Sequence, residues 1–117
     1  MRTRAEAIAA CLRLPGAYED YPFGDPGWTV MRHAGNARSF AHIYARQGAL
    51  WINLKAEPMK AAFWRDAYPA VEPAYHMNKR HWIGVRLDGG MPDADILALI
   101  EDSYLLTRGK PGSKPKK

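Results

Sequence analysis

Between Trp28 and Lys55, apolar and polar side chains tend to alternate, and the pattern breaks at Gly35-Asn36 and at Gln47-Gly48. This predicts three strands, WTVMRHA (28–34), ARSFAHIYAR (37–46) and ALWINLK (49–55). The short turns between them force antiparallel pairing. Ahead of the strands, Thr3 and Glu6 form a capping-box pair. They open a helix from about Arg4 to Arg13, with Ala5, Ile8, Ala9 and Leu12 on one face and Pro15-Gly16 as its stop. The segment AYEDYPFGDPG reads as an ordered loop. After the strands, Glu57-Pro58 opens a second helix with Met59, Ala62 and Phe63 as its apolar stripe, and Pro69 ends it. PAVEPAYHMNKR is predicted irregular because of Pro69 and Pro73. HWIGVRL (81–87) is a fourth strand, closed by Asp88-Gly89-Gly90. A third helix runs from Pro92-Asp93 to about Thr107, with Ile96, Leu99, Ile100 and Ser103 on one side. The order is α-β-β-β-α-β-α. It describes an α+β domain over residues 1–107, an antiparallel sheet with helices packed on one face.

Strand alternation also sorts the side chains. Ala41, Ile43, Ala45, Leu50, Ile52, Leu54, Ile83, Val85 and Leu87 make an aliphatic face, expected under the helices. The other face collects Phe40, His42, Tyr44, Arg46, Trp51, Asn53, Lys55, Trp82 and Arg86. Two readings of it stand side by side. The aromatics and long side chains can simply cover an open sheet, or they can stack and bind an anionic partner.

Charge adds to this picture. The chain has 117 residues and a formal net charge of +5. Residues 108–117, RGKPGSKPKK, carry five basic groups and no acid and read as a disordered tail. The body is neutral overall but polarised. Residues 30–86 hold nine basic groups against three acids, and residues 87–107 hold five acids and no basic group. A one-signed middle favours an anionic partner there. No apolar run spans a bilayer and no signal peptide is evident, so a cytoplasmic protein without membrane contact is expected. The single Cys11, among alanines and leucines, reads as a small core hydrophobe.

The polar groups crowd most densely in HMNKRHW, His76 to Trp82. LPGAYEDYPFGDP, INLKAEP, YPAVEPAYHMNKRHWIGVRLDG and LIEDSYLL occur here in that order, and the chain resembles the MmcQ/YjbR family of small bacterial proteins. The resemblance covers about Leu14 to Leu106. It implies a CyaY-like fold and DNA binding through a so-called double-wing surface. It points to Asn53 and Lys55 in INLK, and to His76, Met77, Asn78, Lys79, His81 and Trp82 in the loop. The family usually carries Gly where this chain has Ala74, which would permit positive φ at that turn.

The residues offer little else. His76 and His81 have no acid between them to complete a metal site, and no HExxH or CxxC occurs. The first helix carries only Glu6 among Arg2, Arg4 and Arg13, which does not make an iron-binding ridge. Lys55, His76 and Lys79 are the one trio that acid–base work could use, without a nucleophile motif beside it. No cofactor, metal or enzymatic activity is expected. Within the loop, Asn78 reads as a structural anchor and Met77 as a buried peg, while Lys79, His76 and Trp82 face a partner. The expectation is a monomeric binding module contacting nucleic-acid backbone weakly through Arg46, Trp51, Asn53, Lys55, His76, Asn78, Lys79, Arg80, His81, Trp82 and Arg86. The alternative is a small-molecule or protein-interaction module with a pocket near Lys55 and His76.

Overall fold

A computed structural model describes residues 1–109 of the chain. Lys110, Lys114, Lys116 and Lys117 of the basic segment lie outside the described residues. The elements run α1 (Arg4–Leu12), β1 (Ala17–Asp20), β2 (Trp28–His33), β3 (Ser39–Arg46), β4 (Ala49–Lys55), α2 (Pro58–Ala67), β5 (Val71–Pro73), β6 (Trp82–Arg86) and α3 (Asp93–Thr107). The three helices and four long strands fall where the periodicity puts them. Two short strands are new. β1 forms inside the segment read as a loop, and β5 forms between Pro69 and Pro73. Both are edge strands of the sheet β1-β2-β3-β4-β6-β5. An edge strand pairs on one side only, so it tolerates a proline and needs no apolar run.

All the strand pairs are antiparallel. Ala41, Ile43, Ile52, Leu54, Ile83 and Val85 form one buried core with Ala7 and Cys11 of α1, Ala61 of α2 and Ile96, Leu99, Ile100 and Tyr104 of α3. The aliphatic face lies under the helices, as expected. Burial pushes the Cys11 thiol up to about 12, which leaves it inert at neutral pH. The capping box at Thr3 and Glu6 is formed. Arg4, at the start of α1, reaches into the sheet. Its guanidinium donates to Thr29 Oγ1 at 3.2 Å, to the Ile43 carbonyl at 2.9 Å and to the Gly27 carbonyl at 2.7 Å.

Two expectations are corrected. Met59 and Phe63 are 88% and 61% exposed, and α2 buries Ala61 instead. Phe40 leaves the aromatic face for the helical core. Met31 pairs with Ala41 but the next residue, Arg32, pairs with Ser39, so Phe40 is the extra residue of a β-bulge. Its ring packs edge-on to Tyr104 with centroids 5.4 Å apart. A bulge leaves ladder groups unpaired, and Ser103 of α3 takes them up. Its Oγ accepts from the Lys55 N–H at 2.8 Å and donates to the Phe40 carbonyl at 2.6 Å. This explains a fully buried hydroxyl on the apolar side of α3.

Ser103→Ala strands one buried donor and one buried acceptor, and each costs about 1–3 kcal/mol. We expect a loss of about 2–4 kcal/mol by urea unfolding, and Ser103→Thr or Ser103→Cys to recover part of it. A loss below about 0.5 kcal/mol would show that the bulge satisfies itself.

Candidate functional site: a loop folded across the second sheet face

The hairpin between β5 and β6 is closed by residues 74–81, too many for a tight turn. Pairing fixes where this loop starts and ends. Pro73 lies beside Ile83, and the Ala56 N–H donates to the His81 carbonyl. Between those points the loop folds over the sheet face opposite the helices. The Tyr75 ring stands 6.1 Å from Tyr44, and His76 stands 6.5 Å from Trp28 on β2. Phe23, from the connection before β2, packs edge-on to Trp28 at 6.0 Å.

The face beneath is a second core. Trp28 stacks on Tyr44 with centroids 4.3 Å apart and an 11° angle. Tyr44 is 2% exposed and Trp51 5%. Trp82 stands edge-on to His42 at 5.7 Å. Asn53 sits at the centre, fully buried. Its Oδ1 accepts from the Tyr44 hydroxyl at 2.8 Å, and its Nδ2 donates to the Tyr75 carbonyl at 3.0 Å. Burial pushes the Tyr44 hydroxyl up to about 12, so it remains a donor at neutral pH. Asn53 pairs across the ladder with Gly84, where an added Cβ would stand 3.1 Å from its Oδ1. Gly84 therefore gives the amide room.

His42 is held in one tautomer. The Trp28 indole N–H can only donate, and it lies 3.3 Å from His42 Nδ1. Nδ1 must accept, so Nε2 carries the hydrogen and donates to Ser39 Oγ at 3.1 Å. Burial, with a smaller contribution from Arg32, lowers His42 from 6.5 to about 4. His33, whose ring bonds to Thr107 Oγ1 at 2.8 Å, is lowered in the same direction by burial.

The predicted site residues therefore divide. Trp51 and Asn53 are buried and Trp82 is half-buried against His42. Trp51 and Asn53 build the second core and are closed to a partner, while Trp82 lines it and stays partly exposed. Asn78 anchors its turn as expected. Its Oδ1 accepts from the Arg80 N–H at 3.0 Å, and its carbonyl accepts from the N–H groups of His81 and Trp82. Met77 is only half-buried, and the fully buried residue of the loop is Ala74, which lies against Gly84. Positive φ falls at His76 (61°) and not at Ala74. His76, Lys79, Arg80, His81 and Arg86 are exposed, Arg46 and Lys55 half-exposed. Lys79 Nζ donates to the Ala74 carbonyl at 3.2 Å, Arg46 lies 4.3 Å over the Tyr75 ring, and Arg86 pairs with Asp88 at 3.3 Å. Trp28 and Phe23 of this cluster were not among the expected site residues. Trp28 could have been placed there by extending the strand alternation to β2. Among the described residues no group of three or more His, Cys, Asp or Glu could hold a metal ion, and no helix is long and apolar enough to cross a membrane.

Two outcomes test this geometry. Asn53→Ala leaves the Tyr44 hydroxyl and the Tyr75 carbonyl without partners. It should cost about 2–4 kcal/mol and open the chain to trypsin after Lys79 and Arg80, while Asn78→Ala, which loses one exposed turn hydrogen bond, should cost only about 1 kcal/mol. Equal losses would deny Asn53 its central place. His42 binds its proton more weakly folded than unfolded, so its contribution is full above pH 6.5 and is lost as pH falls toward 4. Between pH 7 and pH 5 the loss should be on the order of 2 kcal/mol. His42→Gln should flatten that dependence in urea titrations, and an unchanged slope would assign it to other groups.

Comparison with known proteins agrees with this chain's architecture. The YjbR family model matches residues 12–106. The Escherichia coli O157:H7 protein YbdF is 37% identical over 95 residues, covering 81% of this chain and 75% of its own. YjbR of Escherichia coli strain K12 is 32% identical over 102 residues, covering 87% of this chain and 84% of its own. YyaQ of Bacillus subtilis strain 168 is 30% identical and is covered in full, with 92% of this chain aligned. A crystal structure of a Pseudomonas syringae protein superposes with a TM-score of 0.82 at 32% identity, covering 91% of this chain and 99% of that one. A Deinococcus radiodurans protein gives 0.81 at 34% identity, covering 91% and 78%. On sequence and on architecture, this chain belongs to the YjbR family.

Proposed function

We propose that the loop side of the sheet is a weak binding surface for nucleic-acid backbone, built from cations at its rim and not from its aromatics. The observation that carries this reading is the placement of Arg46, Lys55, Lys79, Arg80 and Arg86 around one covered face. Arg86 pairs with Trp51 at one end of β4, with Arg46 beyond Tyr44 at that same end; Lys55 pairs with Trp82 at the other. Trp51 and Lys55 are four residues apart, about 13 Å along a strand. That length matches roughly four base-pair steps along the axis of duplex DNA. Lys79 and Arg80 come from the loop lying over this span.

Burial favours charge over stacking. Base stacking needs free ring faces. Trp28 and Tyr44 spend theirs on each other, Trp51 is covered, and Tyr75 lies under Arg46. The cations remain at the surface. The reading thus favours phosphate contacts with little sequence preference. A small-ligand pocket near Lys55 and His76 has less support, because the Asn53 amide beneath the loop is already engaged at both ends.

Three to five phosphate contacts predict a slope of log affinity against log salt of about −3 to −4.5, with dissociation constants on the order of 10⁻⁴ to 10⁻⁶ M. The test is a duplex titration over a salt series, using the full chain with Lys110, Lys114, Lys116 and Lys117 replaced by serine. Lys55→Ala and Lys79→Ala in that background should each flatten the slope by about 0.9. Binding that disappears with the four lysines, or that ignores both substitutions, would remove the nucleic-acid reading.

A further inference from the structure

The helical side of the molecule carries a patch that the loop side does not explain. Met59 and Phe63 stand outward from α2, one turn apart, at 88% and 61% exposure. Beside them runs a groove of about 200 Å³ between α2 and α3, lined by Ala56, Trp64, Leu99, Leu105 and Leu106, with Glu57, Lys60 and Asp102 also lining it. Leu105 and Leu106 are themselves 44% and 39% exposed. Exposed apolar surface of this extent, rimmed by charge, marks an interaction surface.

We propose that this face is the interface of a two-fold homodimer, in which Phe63 of each copy enters the groove of the other. A knob and a hole lie side by side in one patch, and a two-fold axis between them sets each knob opposite a hole. The charges make the same selection. A basic partner segment would meet Lys60, and an acidic one would meet Glu57 and Asp102. A second copy presents both signs, so Lys60 of one copy can face Asp102 of the other. Lys60 and Asp102 line one groove, yet among the described residues neither takes part in an ion pair, so both are free to pair across an interface.

The size of the face sets the strength. α2 and α3 have 10 and 15 residues, about 15 and 22 Å of helix, and neighbouring helices stand about 10 Å apart. Their shared outer surface is roughly 400 Å² per copy, about half of a standard interface; we set the expected dissociation constant at the weak end of specific association, on the order of 10–100 μM. This departs from the monomer that the sequence leads one to expect, and in dilute solution the chain would still sediment as one.

Sedimentation equilibrium of the full chain tests the proposal. The weight-average mass should rise from 13.2 kDa toward twice that value as concentration passes through about 100 μM. F63E should weaken association about ten-fold or more with an unchanged circular dichroism spectrum. K60D and D102K should each weaken it, since like charges then face across both halves of the dimer. An equimolar mixture of the two should associate better than either alone, because the heterodimer restores opposite signs at both contacts. That recovery does not depend on how F63E folds. A chain that remains monomeric near 1 mM, well above the range expected for this area, overturns the proposal. So does a dimer indifferent to F63E, or a mixture no stronger than its components.

Discussion

A buried primary amide must find its partners inside the protein or cost the fold several kilocalories per mole. Asn53 finds them in two places that are distant in sequence, the Tyr44 hydroxyl on β3 and the Tyr75 carbonyl in the loop after β5. The pair of bonds ties an eight-residue loop to the middle of a sheet. Gly84 has to be small for the amide to fit, Tyr44 has to remain protonated to donate, and Trp28 has to lie flat on Tyr44 to close the layer. The course of the loop that carries Lys79 and Arg80 depends on that central amide.

The sheet is consequently buried on both sides by different means. The helical side is aliphatic and closed by α1 and α3, with Ser103 satisfying the groups that the Phe40 bulge leaves over. The loop side is aromatic and closed mainly by the loop 74–81, with Phe23 from the connection before β2 at its margin. Aromatic rings suit that task. A loop supplies few apolar side chains, and each large ring buries area that several small ones would otherwise have to cover. An antiparallel sheet often leaves one face to water; here that face is mostly covered, and surface chemistry is moved to its rim.

Much of this was legible in the sequence, and the gaps have physical causes. Alternation located β2, β3, β4 and β6, and the capping box and prolines located the helices. Alternation also assigned Ile52, Ile83 and Val85 to the helical core. β1 and β5 were missed because an edge strand obeys weaker rules than a central one. Phe40 was misplaced because a bulge shifts parity by one residue, and nothing in SFAHIYAR announces the shift. Met59 and Phe63, read as the apolar stripe of α2, turn outward because a helix stripe does not say which side faces the sheet; the smaller Ala61 is what the close approach of α2 admits. For the site, the crowding of HMNKRHW was visible, but the sequence could not separate roles within it. Asn53, Trp51 and Trp82 proved to support the loop from below, and that distinction depends on contacts between residues more than twenty positions apart.

The separation of chemistry between the two sides has a consequence for how the surfaces can work. The five cations at the rim of the loop side are set apart from the acids of α3, Asp93, Asp95, Glu101 and Asp102, which belong to the helical layer across the sheet. At physiological ionic strength charges interact appreciably over about 8 Å. Two packed layers are separated by about 10 Å between backbones, and the loop adds further distance. Those four acids therefore offset the field at the loop only weakly; the acids nearer the cations are Asp88, paired with Arg86, and Glu72, which lies across from Gly84. An association through α2 and α3 would leave the loop of each copy uncovered. In a two-fold pair the two loop faces would point away from each other, so each copy would contribute its own set of cations. Binding to one long polyanion would then require the polymer to bend around the pair or to bridge separate pairs. The proposed phosphate binding and the proposed self-association would thus be independent at the level of a single duplex, and coupling between them would arise only on polymers long enough to reach both faces.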